Sequence, residues 1–524
     1  ARMDIPFDVQ PQVELAVSGD LPNFRHQSSF EMEGEREVAE GEIPYHVEQF
    51  IKHFAANVKQ GNAVEIQACY ESVFHRLTER YYKTSAWPHA DEVSELCNHD
   101  PVFLILYREL YFRHVYSKLT PTTEQRVESW HNYCELFGLA TGEFKPQLPL
   151  SAKGGLSPLV VPLQWMWDII DEFIFQYQSF CQWNAKSKRS ESDNELLTSE
   201  VWDTFGVLRQ LHSLERASKI NAILTQKEES FGAKERSTLE VMGYFSLIGQ
   251  LRVHCMLGAY HNGLSTVRNL DFQSRAPFLT RVVGAYVTTL YYSGFAHLML
   301  RRYAAAAQAL GSMLVYLSRT RQYHTRSFHY DQILKKYEQM FALLALSQTL
   351  APHQLDDTVA STLRDKYGDK MSRLAQRDDV ALATMEDVLG YACPKFVAVS
   401  HAVTDDATGQ AMFKQQLSVF LHEMKQQLNV ASLRAYLKLY TSISTAKLQK
   451  FLPDEPIAQQ LQCVKHKTRT AKGGLVGDVG FGVSGDEVKV VLANTRDTSH
   501  YGEFFVNHIT MLEELVHDVA QDEE

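Results

Sequence analysis

Apolar residues repeat at helical spacing along most of this 524-residue chain. Val47, Phe50, Phe54 and Val58 step by three or four positions, so they share one face of a helix. Comparable stripes recur as far as residue 428, and alternation typical of strands begins only at residue 479. The sequence therefore predicts a mainly α protein with one small β element near its end.

Two helices in the first half carry wide apolar faces. Asp100 and Pro101 begin one of them, since proline suits the first helical position. The other follows residues 148–163, where prolines and glycines indicate a loop. The two faces consist of Phe103, Leu106, Tyr107, Leu110 and Tyr111, and of Trp167, Ile170, Phe173, Ile174, Tyr177 and Phe180.

Residues 240–350 have the pattern of stacked helical hairpins. Tyr260, Gly263, Phe295 and Tyr303 loosely follow the small and aromatic positions of tetratricopeptide (TPR) repeats. Such hairpins bury their apolar faces only against each other, so a stack needs a cap. We predict that a helix with Phe413, Leu417, Phe420, Leu421, Met424 and Leu428 ends the stack.

Residues 430–493 form a module of three short helices and a hairpin. Ser444 is a good N-cap, and Ile443 and Leu448 are spaced as a hydrophobic staple. After a third helix, residues 479–483 and 488–492 alternate apolar and polar or small positions around a Ser484-Gly485-Asp486 turn. This order is typical of a winged helix.

The length exceeds one compact core, so the chain is expected to hold several regions. Six glutamates crowd residues 31–42, and the polar segment up to residue 42 is expected to be mobile unless a partner orders it. The predicted division is an acidic segment 1–42, a helical region 43–237, TPR-like repeats 238–429, a winged helix 430–497, and a C-terminal helix with an acidic tail 498–524.

Composition points to a reducing compartment, the cytosol or the nucleus, and we expect a cytoplasmic protein. The seven cysteines are scattered without a CxxC pair, which disfavours a disulfide framework or a zinc ribbon. The sequence shows neither an apolar leader at its start nor a run of eighteen apolar residues. A formal charge of −11 disfavours a wholly basic nucleic-acid coat but allows a local basic patch.

The motifs that carry chemistry are weak. Residues 480–485 satisfy GxGxxG, yet a strand rather than a helix is expected to follow. The pairs Cys97/His99 and His254/Cys255 supply too few ligands for zinc. Asp168, Asp171 and Glu172 share a helical side without a matching histidine and are expected to be a solvated face. We therefore predict no catalytic residues, no metal, no cofactor and no enzymatic activity.

One local excess of positive charge stands out. Residues 430–472 hold eight basic and two acidic residues, a net charge of +6. The last basic residues of this stretch lie at the end of the module's third helix. In winged helices, this region commonly contacts nucleic acid. Lys465, Lys467, Arg469 and Lys472 are candidate contacts for RNA or an acidic partner, although cations at a helix C-terminus also suit its dipole.

Two further features indicate protein partners. Phe505, Ile509, Leu512, Val516 and Val519 form a heptad seam that a lone helix would leave exposed to water. In the hairpin, Val488, Val490 and Leu492 are candidates for pairing at a sheet edge.

Several long strings resemble the subunit L family of eukaryotic translation initiation factor 3, whose members have the PCI fold. They are residues 100–116 (DPVFLILYRELYFRHVY), 167–180 (WDIIDEFIFQYQSF), 294–303 (GFAHLMLRRY), 363–371 (LRDKYGDKM), 393–396 (CPKF), 437–440 (LKLY), 464–467 (VKHK) and 501–505 (YGEFF). The resemblance spans roughly residues 43–517.

The resemblance implies a right-handed solenoid of TPR-like hairpins capped by a winged helix and a C-terminal helix. It also implies a non-catalytic scaffold subunit in a hetero-oligomer that binds the small ribosomal subunit and promotes recruitment of initiator tRNA and mRNA. Subunits K and E of that assembly are the implied neighbours. A PCI scaffold of a proteasome-lid or signalosome-like complex, or a direct RNA-binding module, are the alternatives.

Overall fold

The computed structural model describes residues 43–146, 158–186, 200–225, 231, 236–272, 278–324, 330–350, 355–376, 379–398, 410–452, 456–467, 479–492, 509–510 and 512–513. These residues are mainly helical, as predicted. Their contacts divide into two compact units. The first holds described residues of 1–257, 262–289 and 397–409, and the second those of 258–261, 290–396 and 410–524.

The helices are α1 (Tyr45–Gln60), α2 (Ala63–Ala68), α3 (Phe74–Tyr81), α4 (Ala90–Val93), α5 (Pro101–Lys118), α6 (Thr123–Thr141), α7 (Leu163–Lys186), α8 (Thr204–Ser218), α9 (Ile220–Thr225), α10 (Thr238–Met256), α11 (Tyr260–Thr266), α12 (Val283–Met299), α13 (Tyr303–His324), α14 (Tyr330–Leu350), α15 (Asp357–Ala375), α16 (Asp379–Ala392), α17 (Ala411–Leu439), α18 (Thr445–Phe451) and α19 (Ile457–Lys467). A π-helical turn, Cys69–Val73, joins α2 to α3.

The first unit packs around α5, α7 and α10. Asp100 caps α5 because its carboxylate accepts the Val102 N–H at 3.0 Å, and Pro101 opens the helix. Every residue of the two predicted apolar faces on α5 and α7 is buried. Helix α10, buried on nearly all sides, packs against α7 and α8. Gly243 permits this approach, since a Cβ there would lie 2.5 Å from Ser218 Cβ.

The second unit contains a run of helices that pack against neighbours in the sequence. Helix α13 packs on α14, α14 on α15 and α16, and α16 on α17. The turn between α12 and α13 places Arg301 at a φ of +63°, and its guanidinium pairs at 2.8 Å with Glu423 of α17. Tyr291 donates to the Ala392 carbonyl at 2.6 Å, which ties α12 to the end of α16.

The chain ends its described part in a small α/β module. Strands β1 (Ser442–Ser444), β2 (Val479–Ser484) and β3 (Glu487–Leu492) form an antiparallel sheet in the order β1-β3-β2. The predicted staple is present, since Ser444 caps α18 and Ile443 and Leu448 are buried. The shared core comprises Leu433, Leu437, Ile443, Leu448, Ile457, Leu461, Val464, Val479, Phe481 and Val488.

Two expectations about this module need correction. Its first helix does not start at Val430, because α17 runs without a break from Ala411 to Leu439 and includes the predicted cap of the stack. In addition, β3 is the middle strand. Val488 pairs with Ile443 on one side and Val483 on the other, so Val488 and Val490 offer no free edge. The edges of the described sheet belong to the three-residue β1 and to β2, which is the longer of the two.

The turn of the hairpin explains the GxGxxG match. Gly485, with a φ of +62°, occupies the first position of a two-residue turn, and β3 follows at once. No helix follows, so the dinucleotide geometry is not formed there. Among the helices of the described ranges, none is long and apolar enough to cross a membrane.

Candidate interaction surfaces

The outer edge of β2 is a surface suited to another strand. Within the part of the chain that is described, β2 pairs only with β3. Its end carries Val483, half exposed, and the neighbouring strand carries Val491, two-thirds exposed. An edge strand presents unpaired backbone N–H and C=O groups, which a further strand can satisfy. The geometry therefore supports pairing at β2 rather than at β3.

Contacts within the module connect the hairpin turn to its helices. The Thr445 N–H donates to the Asp486 carbonyl at 2.9 Å, and the Thr445 hydroxyl also bonds the Asp486 carboxylate, so the start of α18 is tied to the hairpin turn. Tyr436 stacks on Phe451 with ring centroids 5.0 Å apart. Lys447 lies 4.8 Å from the centre of the Tyr440 ring, a cation–π contact.

The basic candidates are only partly described. Lys465 is exposed on the last turn of α19, and the backbone of Lys467 ends that helix. Arg469 and Lys472 lie outside the described residues. The predicted position of the first two, at a helix end beside the sheet module, agrees with the structure.

The C-terminal seam is also only partly described. Ile509 and Leu512 are helical and more than half exposed. Phe505, Val516 and Val519 lie outside the described residues, as does the side chain of Leu492 in β3. Two apolar side chains one turn apart are thus open to solvent at positions where the heptad pattern predicts a partner.

The carboxylates on α7 do not share a solvated face, contrary to the sequence-based expectation: Asp168 is buried and Glu172 partly buried, while the side chain of Asp171 is 37% exposed. Asp168 is 5% exposed and accepts bonds from Tyr70 at 2.6 Å and Gln164 at 2.9 Å. Asp171 pairs with Arg252 of α10. Glu172 accepts from Gln176 at 2.9 Å, and loss of solvent raises its pKa to about 7.

Asp168 belongs to a buried polar network centred on Arg113, whose charge also acts on Glu172. Its guanidinium pairs with Glu109, one turn away on α5, and donates to the Tyr70 hydroxyl. Glu109 also accepts from the Trp165 indole at 2.8 Å, and Asp168 lies 3.8 Å from Arg113. The acids are engaged in ion pairs and hydrogen bonds, so the arrangement supports structural ion pairing rather than acid/base chemistry.

Sequence reasoning missed Arg113 and Tyr70. A signal existed for the first: Glu109 and Arg113 stand four residues apart on a helix with many apolar residues, the spacing of an ion pair. Tyr70 had no such signal, because its position depends on the π-helical turn that carries it.

The candidate metal ligands do not form a site with enough ligands for a metal ion. The described residues include no group of three or more His, Cys, Asp or Glu placed to hold a metal ion. All seven cysteines are free thiols. Burial raises the pKa of the Cys97 thiol and lowers the pKa of His254.

Comparison with known proteins gives a consistent family. Residues 125–512 match the family described as RNA polymerase I-associated factor PAF67. Eukaryotic translation initiation factor 3 subunit L of Nematostella vectensis is 38% identical over 97% of this chain and 99% of its own length. The subunits L of Mycosarcoma maydis and Mus musculus are 36% and 38% identical, over 91% and 86% of this chain and 74% and 82% of their own lengths. The chain thus belongs to the eukaryotic translation initiation factor 3 subunit L family.

Proposed function

We propose that this chain is a non-catalytic scaffold subunit of a translation initiation factor 3 complex in the cytoplasm. In this role it joins other subunits, with subunits K and E as neighbours, and contacts the small ribosomal subunit directly or through them. The complex then promotes assembly of the preinitiation complex with initiator tRNA and mRNA. Family membership supports the complex, and the outer edge of β2, unpaired among the described residues, is the observation that carries the scaffold role.

The fold assignment belongs to the same proposal. The order α17, β1, α18, α19, β2, β3 with one shared core is the order of a winged helix, and the helical neighbours before it suit a right-handed TPR-like solenoid. Together they correspond to a PCI domain. In this arrangement the β2 edge and the exposed Ile509 and Leu512 are joints between subunits.

Co-expression tests the scaffold role. Produced alone, the chain should self-associate or be poorly soluble, because its edge strand and C-terminal apolar residues lack partners. Co-expression with subunits K and E should give a discrete complex, and deletion of residues 501–524 should weaken it. A monodisperse monomer that binds neither subunit would contradict the proposal. Mass spectrometry of co-purifying proteins separates ribosomal partners from those of a proteasome lid or signalosome.

Direct RNA contact is a second candidate function, favoured by the exposed Lys465 at the end of α19. Changing Lys465, Lys467, Arg469 and Lys472 to glutamate should weaken RNA crosslinking. The slope of log affinity against log salt should fall by about 0.7–0.9 per lost phosphate contact. The same changes at Lys52, Lys59, Lys83 and Lys118 are a matched control for net charge. Equal RNA binding by both variants would exclude this function.

A further inference from the structure

A solvent-open groove lies between α16 and α17, outside the sheet module. Its volume is about 590 Å³. Leu382, Ala383 and Glu386 line it from α16; Lys414, Leu417, Ser418, Leu421, His422 and Lys425 line it from α17. The lining residues of α17 are separated alternately by three positions and by one position. They therefore form one continuous stripe along the helix.

The groove forms because the two helices do not pack closely along their whole length. At one end they touch: a Cβ on Gly390 of α16 would meet Phe413 of α17 at 3.6 Å. The lining includes two small, exposed residues, Ala383 of α16 and Ser418 of α17. The stripe from Lys414 to Lys425 is about 16 Å long, three helical turns.

The chemistry of the groove is amphipathic. Leucines 382, 417 and 421 provide an apolar floor, of which Leu417 is buried and the other two are partly exposed. Lys414 and Lys425, both exposed, stand at the two ends of the α17 stripe, and neither forms an ion pair with a described carboxylate. Glu386 is the one acidic residue in the lining.

Charge favours an acidic occupant. Helix α17 carries four lysines and arginines against one glutamate, Glu423, and that glutamate is buried and paired with Arg301. This basic helix stands in a chain of net charge −11. The groove lining has no Phe, Tyr or Trp, and His422 supplies its one ring, so single-stranded RNA finds less stacking surface there than an apolar partner finds in the leucines.

We propose that this groove binds an acidic amphipathic helix of a partner protein. The partner helix places leucine-like side chains at positions i, i+4 and i+7 on the apolar floor. Its carboxylates, about three turns apart, face Lys414 and Lys425. This interface is separate from the β2 edge and does not depend on the scaffold proposal.

A synthetic helix tests the proposal with the full-length chain. The probe is a fluorescein-labelled peptide of about 18 residues, long enough to be partly helical, with three leucines at that spacing and glutamates at both ends. Fluorescence anisotropy should give a Kd on the order of 10 μM. A peptide with lysines in place of the glutamates should bind at least tenfold more weakly.

Variants of the chain identify the site. The double variant K414E/K425E should weaken binding of the acidic peptide about tenfold and bind the lysine peptide better. Ala383→Glu, at an exposed position, should weaken it by adding charge to the apolar floor. The double variant K59E/K83E changes exposed lysines elsewhere by the same charge and should leave binding unchanged.

Three results would overturn the proposal. They are no binding of the acidic peptide at millimolar concentration, equal loss in K414E/K425E and K59E/K83E, or binding unaffected by Ala383→Glu. Labelled oligouridine is measured in parallel. If K414E/K425E abolishes oligouridine binding while peptide binding persists, the groove is an RNA site instead.

Discussion

At the scale of single residues, the buried network around Arg113 should be sensitive to substitution. A buried arginine and several carboxylates are stable only while each charge keeps its partners. Glu109 bonds both Arg113 and Trp165, and Asp168 bonds Tyr70 and Gln164. The network joins α5, α7 and the π-helical turn, so its loss would loosen several elements at once.

Replacing Arg113 should destabilise the first unit strongly. Arg113→Met leaves Glu109 and Asp168 buried without their cation, at a cost of about 3–5 kcal/mol. Combining it with Glu109→Gln should recover part of this loss, because one unpaired charge is removed. Thermal unfolding monitors both variants. Lys118→Met, at an exposed pair with Glu79, is the control and should change stability little. An equally small effect of Arg113→Met would contradict this account.

Glu172 should make stability depend on pH. Its pKa rises from 4.5 to about 7 on folding, so the folded chain keeps a proton that the unfolded chain releases. The stabilisation is full below pH 4.5 and disappears as pH rises through about 7. Glu172→Gln, which retains an acceptor for Gln176, should be more stable than the parent by about 1–3 kcal/mol at pH 8 and equal to it at low pH.

Unfolding curves at acidic and basic pH check the Glu172 prediction. Glu95→Gln, at an exposed position, is the control and should show no gain at pH 8. If Glu172→Gln gives the same difference at both pH values, burial does not raise this pKa.

At the scale of elements, helix boundaries and buried faces followed from local rules. Asp100 and Ser444 act as caps, and the stripes on α1, α5 and α7 are buried, because capping and periodicity depend on neighbours within one or two turns. The continuity of α17 did not follow. Its sequence holds no proline or glycine between residues 413 and 439. We nevertheless predicted two helices there, because a winged helix was expected to begin with a helix of its own.

The close approach of α8 and α10 gives a prediction about elements. Gly243→Ala should destabilise by about 1–3 kcal/mol, because the new Cβ overlaps Ser218. Gly311→Ala, in α13, is the matched control: its Cβ would lie 3.8 Å from Leu355, so the helix should gain up to about 1 kcal/mol. In chemical unfolding, the free energy of unfolding should therefore fall for Gly243→Ala and rise for Gly311→Ala. Gly243→Ala/Ser218→Gly should recover stability.

At the scale of the whole molecule, the candidate sites are surfaces suited to other proteins. The β2 edge, the exposed C-terminal apolar residues and the groove beside α17 are each incomplete without a partner. The carboxylates that share a side of α7 instead form ion pairs and hydrogen bonds with other side chains of this chain. This distribution suits a chain whose role is assembly.

A charge on the sheet edge should weaken assembly without unfolding the chain. Val483→Lys places a lysine on β2 at a half-exposed position, which opposes pairing by another strand. Co-purification with partner subunits should fall at least tenfold. Val64→Lys, at an exposed position of α2, is the control and should leave assembly intact. Equal recovery of partners with both variants would exclude β2 as a joint.

The sequence by itself determined the mainly helical class, the faces that are buried, the core of the last module and the family. These properties depend on which residue types occur a few positions apart, and that spacing can be read directly from one sequence. Only the tertiary structure decided that β3 is central, that Asp168 is buried beside Arg113, and that α16 and α17 leave a groove. The physical reason is distance along the chain. Strand order, buried ion pairs and gaps between helices arise from residues far apart in sequence, and no local pattern specifies which of them meet.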